Sequence, residues 1–272
     1  MITFSGPAGS VEVTELGMYS DNTPMVKHPY WDDIVECDTV TVTGATLHTL
    51  TTALFMVDAV NWSGGWVQNL ILPYLPGARQ DRSNPTGDVL FTAASVARMI
   101  NDRHFRKVVY VDPHSHVMPS FLWAKSEFPL ERVYDRLWKG YGGVIAPDNG
   151  AVERAKIAHG IIGGELITAR KARDVATGQL TGFEVDSLTP GKHYLVVDDI
   201  CDGGGTFLGL GEKIREAGCY ADLYVTHGIF ARNAMDRLNK IYKNVITTDS
   251  IPQDSHTNKL TINIVKDMEN YE

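Results

Sequence analysis

Cysteine is scarce in this chain: Cys37, Cys201 and Cys219 are the only three in 272 residues. Their scatter excludes a disulfide framework and the paired spacing of a structural zinc site. Long apolar runs are missing too, since none approaches the roughly 20 residues that a membrane-spanning helix needs. Met1-Ile2-Thr3-Phe4 has neither the basic region nor the apolar stretch of a secretory signal. Basic charge is also short, with 25 Lys and Arg against 33 Asp and Glu and a formal net charge of −8. That balance offers no electrostatic footprint for nucleic acid. Neither a short-period repeat nor a low-complexity tract occurs. These absences lead us to expect a soluble protein of a reducing, cytoplasmic compartment, with no nucleic-acid or membrane partner. At 43% hydrophobic residues, the chain has enough apolar content for a large core.

What is present alternates between two periods. Residues 46–60 read as a helix with Leu47, Leu50, Leu54 and Val57 on or near one face. A strand at 70–72, an amphipathic helix at 89–100 and a strand at 107–111 follow. The strand at 143–146 leads into "PDNGAVERA", and 151–161 continues as a helix. Strands at 165–168 and 194–197 flank a long polar stretch; a helix at 207–217, a strand at 221–226 and a helix at 231–240 complete the pattern. Such alternation predicts an α/β fold with a mainly parallel sheet and helices on both faces. Two successive runs, 1–141 and 142–272, meet near the glycine-rich "KGYGG" of 139–143. Two similar domains are the expectation, with a single large sheet as the alternative.

In open α/β sheets, chemistry gathers beyond the carboxyl ends of the strands. The unusual polar clusters here all follow predicted strands: 79–82, 112–116, 148–150, 198–206 and 226–227. The most informative is "LVVDDICDGGGTF", residues 195–207. Gly203, Gly204 and Gly205 let backbone approach a ligand closely, and the following helix turns its amino end, with roughly half a positive charge, toward a phosphate. Thr206 adds a hydroxyl donor. Asp198 and Asp199 are wrong for phosphate but right for vicinal hydroxyls, from both of which an ionised carboxylate can accept. Phosphate at one end and a diol at the other describes a ribose phosphate. The competing description is a glycine turn with two capping acids, and the ordered acids, glycines and threonine favour the ligand.

Several of these stretches together resemble the ribose-phosphate pyrophosphokinase family. "VVDDICDGGGT" is similar to the phosphoribosyl diphosphate loop of the type I phosphoribosyltransferase fold, "LPYLPGARQDR" (72–82) to the family's ATP segment and "VVYVDPHSHVMPSF" (108–121) to its Asp-x-His segment. "APDNGAVERA" (146–155) and "VTHGIF" (225–230) follow in the family's order. The resemblance implies two phosphoribosyltransferase-like domains, the first for ATP and the second for ribose 5-phosphate. It also implies transfer of the β,γ-diphosphoryl group of ATP to the sugar O1, Mg²⁺ as the cofactor and a homo-oligomer.

By residue, the resemblance places Arg79, Gln80, Asp81 and His114 at ATP, and Asp198, Asp199, Asp202 and Gly203 to Thr206 at ribose 5-phosphate. His114 takes a metal-site position. Asp148 is either a Mg²⁺ ligand or the cap of the helix after it. The polar stretch 169–191 corresponds to the family's catalytic flexible loop, with Lys171 and Arg173 closing on the transferring group. Tyr19 and Asp21 in "YSDNT" match a segment that reaches a neighbouring subunit's adenine. The chain departs from the family where Thr23 replaces an acid and Gly203 replaces a threonine. A phosphoribosyltransferase consuming phosphoribosyl diphosphate and a non-catalytic regulatory relative are the alternatives.

Overall fold

The computed structural model describes residues 1–13, 17–21, 23–25, 31–44, 46–83, 91–173, 180–185, 188–253 and 259–271, with backbone alone at 171–173 and 180–182. The chain divides into two units, Met1–Phe128 with Ser250–Pro252 and Val265–Glu272, and Pro129–Asp249 with Gln253–Ile264. The division falls after Phe128, ahead of the glycines at 139–143 where the sequence placed the join.

The first unit opens with β1 (Ile2–Gly6), β2 (Gly9–Val13), the short pair β3 (Gly17–Met18) and β4 (Pro24–Met25), and α1 (Trp31–Val35). Then come β5 (Thr39–Val42), α2 (Leu47–Trp62), β6 (Asn69–Ile71), α3 (Ala93–Asn101), β7 (Lys107–Val111), α4 (Val117–Phe121) and β8 (Lys125–Phe128). Its six-stranded sheet runs β2-β1-β5-β6-β7-β8, parallel from β5 onward and antiparallel at the β2–β1–β5 edge. Thr46 starts α2, its hydroxyl accepting from the Thr49 N–H at 3.1 Å. Leu50, Leu54 and Val57 of that helix share one buried core with Phe4, Val40 and Leu70 of the sheet.

The second unit contains α5 (Leu130–Tyr134), β9 (Gly143–Ala146), a 3₁₀ turn at Asn149–Ala151, α6 (Val152–Ile162), β10 (Glu165–Arg173) and β11 (Leu180–Val185). It continues with β12 (His193–Cys201), α7 (Gly205–Glu216), β13 (Tyr220–Gly228), α8 (Ala234–Leu238), β14 (Val245–Thr248) and β15 (Lys259–Ile262). The seven-stranded order is β11-β10-β9-β12-β13-β14-β15. Residues 194–197 are buried because β12 lies between parallel β9 and β13. That is why their sequence is continuously apolar rather than alternating. Helix α9 (Val265–Glu269) belongs to the first unit: Met268 is fully buried, Glu269 accepts from the Thr41 hydroxyl at 2.7 Å, and the Tyr271 ring meets Phe128 edge-on.

Two expectations change. The stretch 169–191, expected as a loop, contains an antiparallel ladder of 169–173 with 180–185, in which Lys171 pairs with Phe183 and Arg173 with Leu180. Its polar composition hid the strand because β10 changes partner, pairing with β9 only through Thr168 and with β11 from Ala169. Residues 174–179 and 186–187 of that stretch lie outside the described residues. The helix expected at 231–240 shortens to α8, since Arg232 and Asn233 adopt left-handed backbone at φ 56° and 55°.

The amino ends of the second unit's strands carry a buried polar cluster. Asp222 on β13 accepts from the Tyr141 hydroxyl at 2.7 Å and the Asn244 backbone N–H at 3.1 Å. The Asn244 side-chain amide at 3.2 Å and His193 Nε2 at 2.9 Å complete its surroundings. Burial first, then the Asp222 hydrogen bond, pushes the Tyr141 hydroxyl well above its ordinary pKa.

Candidate active site

In the second unit, β12 carries Asp198 and Asp199 past the last rung shared with β9, at Val196. The Asp199 N–H donates to Asp198 Oδ1 at 2.9 Å. Arg154, from the first turn of α6, reaches the same place, its Nη1 lying 3.4 Å from Asp198 Oδ1 and 3.9 Å from Asp199 Oδ1. Burial raises the Asp198 carboxyl well above the usual carboxylate range, with the Asp199 charge and hydrogen bond adding to it; Arg154 opposes the rise. The Cys201 thiol next to this pair is pushed up to about 12, chiefly by burial. A thiol held protonated in this way is no nucleophile at neutral pH.

After β12 the chain turns through Gly204, whose φ of +75° is a left-handed geometry that favours glycine, and enters α7 at Gly205. Arg237 donates to the Gly203 carbonyl at 2.6 Å. Because C=O and N–H of one trans peptide point in opposite directions, this anchor turns the Gly204 N–H to the other side of the loop. Arg232, Arg237 and Lys240 line a depression of about 740 Å³ together with Gly203 and Gly205. Asp148 starts the 3₁₀ turn, its Oδ1 accepting from the Gly150 N–H at 3.0 Å, so the cap is the role visible in its hydrogen bonding.

In the first unit, the turn after β6 brings Tyr74, Pro76, Gly77, Arg79 and Gln80 against Leu47 of α2 and Val96 and Met99 of α3, around a depression of about 740 Å³. The Thr92 hydroxyl donates to Gln80 Oε1 and the Ala93 N–H to the Gln80 carbonyl, tying this turn to the start of α3. Asp81 faces the exposed Arg82 at 3.4 Å. Beyond β7, Asp112 is buried with φ +41°, a strained conformation at the head of the segment that holds His114. Tyr19 and Asp21 sit on the exposed turn between β3 and β4, where Asp21 Oδ1 accepts from the Thr23 N–H at 2.9 Å. That bond holds the Asp21 carboxyl below its ordinary pKa.

No protein-family model matches the chain. It is 33% identical to the ribose-phosphate pyrophosphokinase of Pyrococcus furiosus over 208 residues, 74% of this chain and 72% of the relative. The corresponding enzyme of Pyrococcus abyssi is 31% identical over 218 residues, 79% of this chain and 76% of the relative. The chain belongs to the ribose-phosphate pyrophosphokinase family. A solved structure, the phosphoribosylpyrophosphate synthetase of Mycobacterium smegmatis, shares the fold with a TM-score of 0.79 over 97% of this chain and 90% of that one, at 22% identity.

Within this member of the ribose-phosphate pyrophosphokinase family, the residues singled out in sequence divide between the two units. Asp198, Asp199, Asp202 and the glycines belong to the second; Arg79, Gln80, Asp81 and His114 belong to the first. Lys171 and Arg173 lie on the β10–β11 arm. The sequence reading missed Arg154, although "APDNGAVERA" contains it, and it missed Arg232, Arg237 and Lys240. Spacing gave no sign that α6 would return Arg154 to β12. The only cue for the 232–240 segment was a concentration of cations after a strand.

Proposed function

We propose that this chain transfers the β,γ-diphosphoryl group of ATP to O1 of ribose 5-phosphate, giving 5-phosphoribosyl 1-diphosphate and AMP. The observation that carries the reading is the order of groups along 198–206: two adjacent carboxylates, a glycine turn, then the amino end of a 12-residue helix. The diol of the sugar goes to Asp198 and Asp199, and its 5-phosphate to Asp202 through Thr206. The first unit takes ATP through Arg79, Gln80, Asp81 and His114. Tyr19 and Asp21, on their exposed turn, serve the nucleotide of a neighbouring copy in a homo-oligomer. The sugar O1 forms a bond to the β-phosphorus while that phosphorus loses its bridging oxygen to AMP, and the O1 proton passes to solvent. Positioning and charge stabilisation are what such a transfer asks of a protein. Lys171 and Arg173 supply positive charge to the moving group.

Asp148 offers a hard oxygen and His114 an imidazole, while among the described residues no group of three or more His, Cys, Asp or Glu side chains is placed to hold a metal ion. Mg²⁺ prefers oxygen ligands, so the Asp148 carboxylate is the better fit of the two, and the ion would take its other ligands from the nucleotide and water while neutralising phosphate charge. Among the described residues, no helix is long and apolar enough to cross a membrane.

Purified protein given Mg²⁺, ATP and ribose 5-phosphate should produce equimolar AMP and phosphoribosyl diphosphate. ADP as the product would refute diphosphoryl transfer. Turnover only with a nucleobase would point to a phosphoribosyltransferase, and binding without turnover to a regulatory relative. Arg237→Ala frees the Gly203 carbonyl, so we expect the KM for ribose 5-phosphate to rise about 3- to 10-fold with kcat little changed. An unaltered KM would remove Arg237 from phosphate-loop geometry.

A further inference from the structure

Consecutive residues of a strand normally point to opposite faces. Asp198 and Asp199 are consecutive on β12, yet one nitrogen of Arg154 lies within 4 Å of a carboxylate oxygen of each, at 3.4 and 3.9 Å. The same nitrogen donates to the Gly150 carbonyl at 2.9 Å, so one guanidinium links the 3₁₀ turn before α6 to both acids. The side chains of Arg154, Asp198 and Asp199 are only 10%, 14% and 7% exposed, which rules out a solvated surface pairing. Two adjacent carboxylates in so little water repel each other, and a nearby cation relieves the repulsion.

We infer that Arg154 is the positioning residue for the Asp198–Asp199 pair, holding two carboxylates on one side of β12 so that both accept from the vicinal hydroxyls of the sugar. The inference rests on the assignment of ribose 5-phosphate to this pair. Arg154 acts through the acids. Arg154 opposes the burial and the Asp199 charge, both of which favour a proton on Asp198, and a protonated carboxyl donates where the diol requires acceptors. Arginine suits the task because its planar fork presents several N–H groups in fixed directions, whereas a lysine ammonium is one compact charge.

The test measures ribose 5-phosphate binding by calorimetry and both KM values by kinetics, in the intact chain with Mg²⁺ and ATP as the second substrate. For Arg154→Gln we expect ribose 5-phosphate affinity to fall about 10- to 100-fold, as when a charge-assisted contact between buried groups is lost, with the KM for ATP within about twofold of wild type. Arg154→Lys should recover part of the loss, and it also covers the case in which the glutamine variant does not fold. In an Asp198→Asn background, the further change Arg154→Gln should cost little, because the pair it holds is already broken. Undiminished sugar-phosphate binding in Arg154→Gln would overturn the inference. Equal losses for ATP and the sugar, or full additivity in the double variant, would also overturn it. Wild-type protein that binds ribose 5-phosphate but makes no phosphoribosyl diphosphate would defeat the proposed reaction instead, and the binding data would still judge Arg154.

Discussion

Lys171→Ala should lower kcat by about 10²- to 10³-fold, the usual cost of deleting a preorganised charge that meets the transition state. The KM for ribose 5-phosphate should change far less, because the contact strengthens mainly as charge moves. The backbone gives this expectation its context. From Ala169 onward β10 has lost β9 as a neighbour and pairs only with β11, with a register shift between Ala172 and Arg173. A two-stranded ribbon of this kind is marginal by itself. It is tied down where Phe183 lies against α7: a methyl group added at Gly209 would come within 2.7 Å of the Phe183 ring. The arm is therefore anchored at the rung where Lys171 pairs with Phe183, and Arg173 lies beyond it. Steady-state kinetics with both substrates varied checks the claim. A kcat within about threefold of wild type would take Lys171 out of the chemistry.

The second large effect concerns stability. Asp222→Ala leaves the Tyr141 hydroxyl, both Asn244 donors and His193 without their shared acceptor in a site that is only 3% exposed. Stranding buried donors in this way costs about 3–5 kcal/mol, which in a protein of this size lowers Tm by roughly 10 °C. Asp222→Asn keeps the shape and one acceptor oxygen, so its loss should be smaller. Thermal unfolding of the two variants beside wild type decides the matter. A shift below about 2 °C for the alanine variant would mean that the cluster does not brace the second unit.

The strands at 107–111 and 143–146, and the start of α2 at Thr46, were legible from sequence because their signals are local. A buried apolar run or a capping threonine needs no knowledge of what lies across the fold. The same holds for the acid pair and the glycine turn, which are neighbours in the chain. Arg154 was not legible: its partners on β12 are 44 and 45 positions away, and helix α6 alone sets their approach. Nor was the Asp222 cluster, assembled from 141, 193, 222 and 244 at the amino ends of four different segments. The β10–β11 arm was misread for another reason. Its polar residues lack the apolar alternation of a half-buried strand, and the backbone ladder forms without it.

The position of α9 has a consequence for how the protein is made. Met268 and Tyr271 complete the packing of a sheet whose first strand begins at Ile2, although all of the second unit is translated between them. Domains usually fold in the order in which they leave the ribosome. Here the earlier unit has to wait for its last helix, while the later one can finish first.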